Sequence, residues 1–502
     1  DIDDLSDALV ENNSIWLGND PSGTTDTASN NVAVGVTALD AITTGDDNVA
    51  IGQTALSANT TGTRNTAVGW AAAPAVVSAN DNTAMGWSAL YATTGAENTA
   101  IGSYAMQSNT SGASNTALGD HALFANTTAS NNVGIGIDAL AANTIGTSNI
   151  AVGATALDSN TEGSRNVAVG FAAGDAITTG SDNTAIGNWT LKTATTVGAN
   201  TALGTYALKN TTGANNTSVG KSSLETNSSG AGNTAIGYYA LYANTTASNN
   251  VAVGYQALDA NTIGTPNTAI GASALGQNTT GGGNVAVGET ALELCTESSS
   301  NVAVGNNALG DIVASGNQNV GIGRYAGMKV TTGDDNTYVG YYSAPTATTG
   351  GQNVGIGKSA LQLMTTGFSN TAVGYGAADA LTEGAYNVAY GWGALSALTT
   401  ANECTALGFQ AGYTNITGTG LTAVGLKCLY TSTGDQNTAL GYHANINLTT
   451  GDNNTAIGYQ AYNSAVDSDN EFTLGNGSVA TLRCNDTSIS ALSDERDKAE
   501  VS

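Results

Sequence analysis

Two histidines, four cysteines and a scatter of acidic pairs are the side chains of this 502-residue chain that could carry acid/base, thiol or metal chemistry. His121 and His443 each stand two residues after a recurring glycine, far apart in the chain, so neither is expected to be catalytic or to hold a metal. Cys295, Cys404, Cys428 and Cys484 include no Cys-x-x-Cys pair and no metal-ligand spacing. Cys404, at the recurring Asn position, and Cys428, at a recurring Ala position, read as small-residue substitutes, with an interchain disulfide as the alternative. Asp46-Asp47 and Asp334-Asp335 lie in Gly-Asp-Asp-Asn turns. Such carboxylates could meet a calcium ion, but turn aspartates more often cap backbone amides. Aromatic residues recur just after a glycine: Trp70, Trp87, Phe171, Tyr238, Tyr255, Tyr341, Tyr375, Trp392 and Tyr459. They either fill a corner of the fold or form a stacking surface for sugars. No acid/base pair recurs at a fixed site, so no enzyme, cofactor or metal centre is expected in this part of the chain.

The scaffold for these residues must be unusual. Charged residues make up 10% of the chain, aromatics 6%, and there are 65 glycines. Ordinary domains carry about 25% charge and about 7% glycine. The 41% of apolar residues are mostly Ala and Val, which suits a thin core between closely spaced backbones. A net charge of −27 disfavours tracking a phosphate backbone, so nucleic acid is not an expected partner. No run of eighteen apolar residues could span a bilayer as a helix. The chain opens on Asp1 rather than Met, and further sequence ahead of it is expected.

Periodicity decides the architecture. Asn31-Val32-Ala33-Val34-Gly35 returns as Asn48-Val49-Ala50-Ile51-Gly52, then as Asn65-Thr66-Ala67-Val68-Gly69, and Gly86 follows. From Gly18 to Gly475 the glycine recurs 28 times, at steps of 16, 17 or 18 residues. The predicted fold is therefore all-β, a parallel β-solenoid of about 28 coils with a 17-residue period. At about 4.8 Å per coil this would make a rod about 130 Å long. Glycine at every turn argues against helix, at a cost of about 1 kcal/mol each.

Within a unit, alternation sets Val32 and Val34 on one face and Ala33 and Gly35 on the other. An Ala-Leu pair such as Ala38-Leu39 or Ala55-Leu56 reads as a second short strand. Turns such as Thr43-Thr44-Gly45 use glycine where a positive φ is expected. The position four before the repeat glycine is Asn in 24 of 28 coils. Asn31, Asn48, Asn65, Asn82, Asn98 and Asn115 are expected to form an amide ladder at coil spacing, beside the glycine column of Gly35, Gly52, Gly69 and Gly86. A thin Ala/Val coil buries too little area alone, and the Ala/Gly face is expected to admit neighbouring chains.

The repeat Asn-Thr-Ala-Val-Gly-Tyr-x-Ala-Leu is similar to the head repeats of trimeric autotransporter adhesins, and more so to the shafts of marine phage tail fibres. The resemblance spans residues 14–475, although the adhesin repeat is shorter and differs in loop length. It implies a left-handed β-roll in a homotrimer, serving as the shaft of an extracellular virion tail fibre. That role implies a virion or baseplate attachment protein on the N-terminal side, and a glycan or protein receptor on the host surface. A bacterial adhesin head is the alternative, with an ice-binding solenoid third.

Both ends leave the pattern. Residues 1–13 read as a linker or capping strand, and residues 476–492 as closing strands over the open end. Residues 493–502 resemble the opening of the intramolecular chaperone domain of endosialidases and many phage fibres. That resemblance implies Ser493 as nucleophile and Lys498 as general base of a single self-cleavage in a longer precursor.

Overall fold

The computed structural model describes residues 8–18, 27–313, 315–481 and 483. Among them there is no helix; the chain is a parallel β-solenoid of about 27 turns with a period near 17 residues. It divides into two compact units, Asp1–Gln352 and Asn353–Ser502. The first holds β1 (Ala8–Glu11), β2 (Ser14–Leu17), β3 (Val32–Val34) and one three-residue strand per coil thereafter, through β21 (Thr337–Val339). The second runs from β22 (Val354–Ile356) to β29 (Phe472–Leu474) in the same manner.

Within each unit, successive strands from β2 onward pair in parallel with no slip, Val32 opposite Val49, Ala33 opposite Ala50 and Val34 opposite Ile51. The backbone bonds are short: Val32 N donates to Asn48 O at 2.8 Å and Gly52 N to Val34 O at 2.8 Å. Side chains alternate as expected, but the small face turns inward. Ala33, Ala50 and Ala67 are buried at the strand centres, and the flanking Val or Thr and Val or Ile are half-buried or exposed. The Ala face therefore lines the chain's own core and is not open to neighbouring chains, which overturns that expectation. The physical reason is width: opposite walls of so thin a coil leave room for a methyl at the centre and one Leu per turn. Tyr338 is buried at a position that is usually Ala, and glycines make the space. A Cβ on Gly327 would stand 2.7 Å from its ring.

The Ala-Leu pair is not a second strand. Thr37 and Leu39 have φ of 58° and 51°, and the pattern repeats at Thr54 and Leu56. These left-handed residues swing their N–H groups along the solenoid axis. Leu39 N donates to Ala55 O at 3.1 Å in one neighbouring coil, and Thr54 N to Val36 O at 3.1 Å in the other. A left-handed non-glycine residue costs about 1–2 kcal/mol. Complete burial of each Leu, worth about 1.5–3 kcal/mol, offsets that cost.

Glycine is also demanded for a different reason than expected. Gly62 does not have a positive φ; a Cβ there would lie 2.4 Å from Ala79 O and 2.5 Å from Asn59 Oδ1. Close approach of neighbouring coils requires it. The repeat glycine meets both demands: Gly52 has φ 130°, and its Cβ would lie 2.4 Å from Gly69 O.

At the start, β1 pairs antiparallel with β2, Ala8 opposite Leu17, and covers the edge that β2 would otherwise expose. Trp16 takes the Ala position there and is buried. Residues 476–481 form no strand. Leu482 and residues 484–492 of the expected closing segment, and Ser493 and Lys498 beyond it, lie outside the described residues.

Candidate functional site

The asparagine ladder is internal. Asn48 N and Nδ2 both donate to Asn31 Oδ1, at 2.9 and 3.1 Å, while Nδ2 also reaches Gly62 O at 2.9 Å. Asn65 N takes Asn48 Oδ1 at 3.0 Å, Asn82 N takes Asn65 Oδ1 at 2.9 Å, and Asn98 and Asn115 continue the file. Each side-chain oxygen thus accepts from the following coil, each backbone N–H donates to the preceding one, and all six residues are buried. Their function is to close the backbone accounting of the turns. Cys404 keeps half of this: its N–H meets Asn387 Oδ1 and its Sγ lies 3.2 Å from Gly418 O.

A second ladder is not apparent from the repeat pattern. Seven residues after the repeat glycine, Asn126 Nδ2 donates to Asn109 Oδ1 at 2.8 Å, Asn143 to Asn126 at 2.9 Å and Asn160 to Asn143 at 2.8 Å. The same column holds Ile42, Val76, Ile177, Met364, Leu381 and Leu398, all buried. In the three coils of 16 residues it holds Thr93, Thr211 and Ser432. The shorter side chain fits the shorter turn: Gly95 N donates to Thr93 Oγ1, two residues back, where Gly62 N reaches Asn59 Oδ1, three residues back. The recurring Asn-Thr-Thr-Gly carried the signal, but a mixture of amides and aliphatics in one column hid it.

Within each unit, the described residues considered for chemistry form no common group. His121 Nδ1 is 3.0 Å from Asp120 Oδ2 and its ring stacks on Tyr104, while His443 stacks on Tyr442. Cys295, Cys404 and Cys428 are free and buried, and burial pushes the thiols of Cys295 and Cys428 up to about 12. None of these three can bridge chains, which corrects that alternative for them; Cys484 lies outside the described residues. Asp46 Oδ1 caps Ser29 N at 2.7 Å and Asp334 Oδ1 caps Asn317 N at 2.6 Å. Among the described residues no group of three His, Cys, Asp or Glu could hold a metal.

Two surfaces remain. The first is the outward file at the last strand position, just before the repeat glycine, which is Val, Ile, Leu, Met or Tyr in every strand from β2 to β29. In the single chain Ile51 is 40% exposed and Leu118 45%. The second is the corner formed by the first, second and fifth residues after the repeat glycine, where composition changes from coil to coil. Aromatics do not fill this corner from inside; Trp70, Trp87, Tyr255 and Trp392 stand exposed on it. They stack along the axis: Trp70 on Trp87 at 4.9 Å and 14°, Trp189 on Tyr206 at 5.3 Å and 9°, and Trp392 on Phe409 at 4.9 Å and 12°. Rings in such files cover one another's faces and show mainly edges to solvent. No family model matches this sequence, and no curated protein matches it.

Proposed function

We propose that this chain is the shaft of a trimeric extracellular fibre of the phage tail-fibre kind, and that three parallel copies meet through the outward strand file. The observation that carries this reading is the constancy of that file. A surface that merely faced water would accept Lys, Glu or Ser somewhere in 28 strands, as the corner does. In the first unit Ile51, Met85, Leu118, Leu203, Ile236, Ile270, Val304 and Ile322 of this file are exposed in the single chain, an apolar surface of the kind that marks a partner site. A partner that repeats at the same spacing is another copy of the chain.

The fibre reading brings two further proposals with it. The host-facing receptor is a surface glycan or protein, and the precursor cuts itself beside Ser493 with Lys498 as base. The ice-binding alternative is disfavoured because the strand threonines alternate with Val along their file, as Thr66 follows Val49, and because the turn threonines eight residues after the repeat glycine commit their hydroxyls within the protein. Thr60 Oγ1 donates to Val77 O at 3.1 Å and Thr144 Oγ1 to Thr161 O at 3.0 Å.

The test is the mass of the native particle by light scattering. Three times the 49.7 kDa chain mass is expected for the wild type, with dissociation in an Ile51→Asp, Leu118→Asp, Ile236→Asp variant. A wild-type monomer at micromolar concentration would remove the reading. For the precursor, mass spectrometry should find a break next to Ser493 that Ser493→Ala abolishes.

A further inference from the structure

Gly376 and Gly393 occupy the second position after the repeat glycine on two consecutive coils of the second unit. Their φ values are 59° and 61°. Backbone geometry does not explain them: Ser359 and Gln410, in the coils before and after, hold the same position at 59° and 52° with side chains. What the two glycines do is leave space. A recess of about 100 Å³ opens beside them, walled by Tyr375, Trp392 and Tyr413 and rimmed by Asp379 and Ser396.

The polar and aromatic groups of the recess are already arranged. Ser396 Oγ donates to Asp379 Oδ1 at 2.5 Å, which fixes the carboxylate. The other oxygen, Oδ2, is turned over Gly376, 3.6 Å from where a Cβ would stand. Tyr413 lies across Gly393, its Cε2 3.2 Å from the Cβ position there. One face of Tyr413 is covered by Tyr430, with ring centroids 5.2 Å apart and planes at 3°, and the ring is one wall of the recess. Other files mix stacked and edge-on pairs, as where Trp87 meets Tyr104 at 81°; here a stacked ring also lines a cavity.

From this geometry we infer that the recess binds a neutral pyranose sugar, whose C–H face packs on Tyr413 while its hydroxyls donate to Asp379. Sugar C–H bonds carry slight positive charge and are attracted to the negative face of an aromatic ring. A fixed carboxylate beside that face accepts from vicinal hydroxyls, the pattern of few polar groups in an apolar setting that marks small-ligand sites. The inference would serve the fibre reading but does not rest on it, since the recess lies within one chain.

The test titrates the whole protein with the methyl glycosides of glucose, galactose, mannose and N-acetylglucosamine, observed by saturation-transfer NMR. At least one should bind saturably to the wild type. Gly376→Gln, which copies the residue that Gln410 places at a similar φ, should fill the recess and weaken binding at least about tenfold. Tyr413→Ala and Asp379→Asn should each weaken it as well, with the melting temperature of Gly376→Gln unchanged. Absence of saturable binding up to about 50 mM of any of the four overturns the inference. So does binding that survives both Gly376→Gln and Tyr413→Ala. Particle mass, measured on the same samples, keeps this outcome separate from that of the trimer.

Discussion

The strand side of each coil and its corner obey different rules, although they are only a few residues apart. On the strand side, Asn, Ala, an outward aliphatic and Gly repeat with few exceptions, because each group bonds or touches its own equivalent in the next coil. A substitution there must be tolerated by two neighbours at once. At the corner, side chains face solvent or a local partner, and Trp, Lys, Asp, Gly and Tyr succeed one another freely. The corner's interior column sits between these extremes, accepting either an amide that ladders or an aliphatic that packs. Uniformity marks where the coils hold one another, and variety marks where they are free to do something else.

The largest effect should come from the repeat glycine. Gly52→Ala places a Cβ 2.4 Å from Gly69 O at a φ of 130°. A loss above about 4 kcal/mol is expected, read as local unfolding by hydrogen exchange in the coils on either side. An unchanged exchange pattern would mean that the coils can spread apart.

Asn115→Leu should come next. It leaves Asn132 N without Asn115 Oδ1, now at 2.9 Å, and removes one of two amide donors from Ala129 O. Leu421 shows that the column can hold the side chain sterically. About 3 kcal/mol should be lost in denaturant unfolding, with faster exchange at the Asn132 amide.

Thr93→Asn probes the interior corner. The longer amide overfills a 16-residue coil and should cost about 1–2 kcal/mol. Inserting one residue between Thr94 and Gly95 should restore most of it, since the coil then matches those built on Asn. Failure of that rescue would break the proposed link between coil length and corner residue.

The smallest effect belongs to the outer corner. Burial raises the carboxyl of Asp158, helped by Asp138 and Asp175, and burial raises that of Asp175 against the pull of Lys192. A folded value above the unfolded one means the contribution is fully present below the ordinary 3.8 and is lost as pH rises through the folded value. Asp81 and Asp182, lowered by hydrogen bonds from Arg64 and Arg165, act with the opposite sign. Melting temperatures measured against pH should therefore fall less steeply towards neutrality in Asp158→Asn than in the wild type.

How far these features could be read in advance follows from their periodicity. The Asn31 column and the Gly35 column announce themselves because nearly every coil repeats them, and stacking brings like amides within hydrogen-bonding reach. The column of Asn109 and Asn126 did not, because Ile177 and Leu381 share it and an amide and an aliphatic look unrelated until both prove buried. Ala38-Leu39 looked like a strand because a left-handed Leu has no signature in composition. Only the neighbouring coil, by accepting its N–H, makes that conformation worth its strain. The recess beside Tyr413 was equally hidden, since Gly376 and Gly393 resemble any other turn glycine in sequence.

The sequence by itself determined the period, the all-β class and the parallel register, because a residue that must meet its own copy every 17 positions leaves no other arrangement. Which face is the interior, which turns are left-handed and where an aromatic ring borders a recess were decided only in three dimensions. Each depends on the width of the coil and on what the adjacent coil presents, and neither quantity is a property of a single repeat.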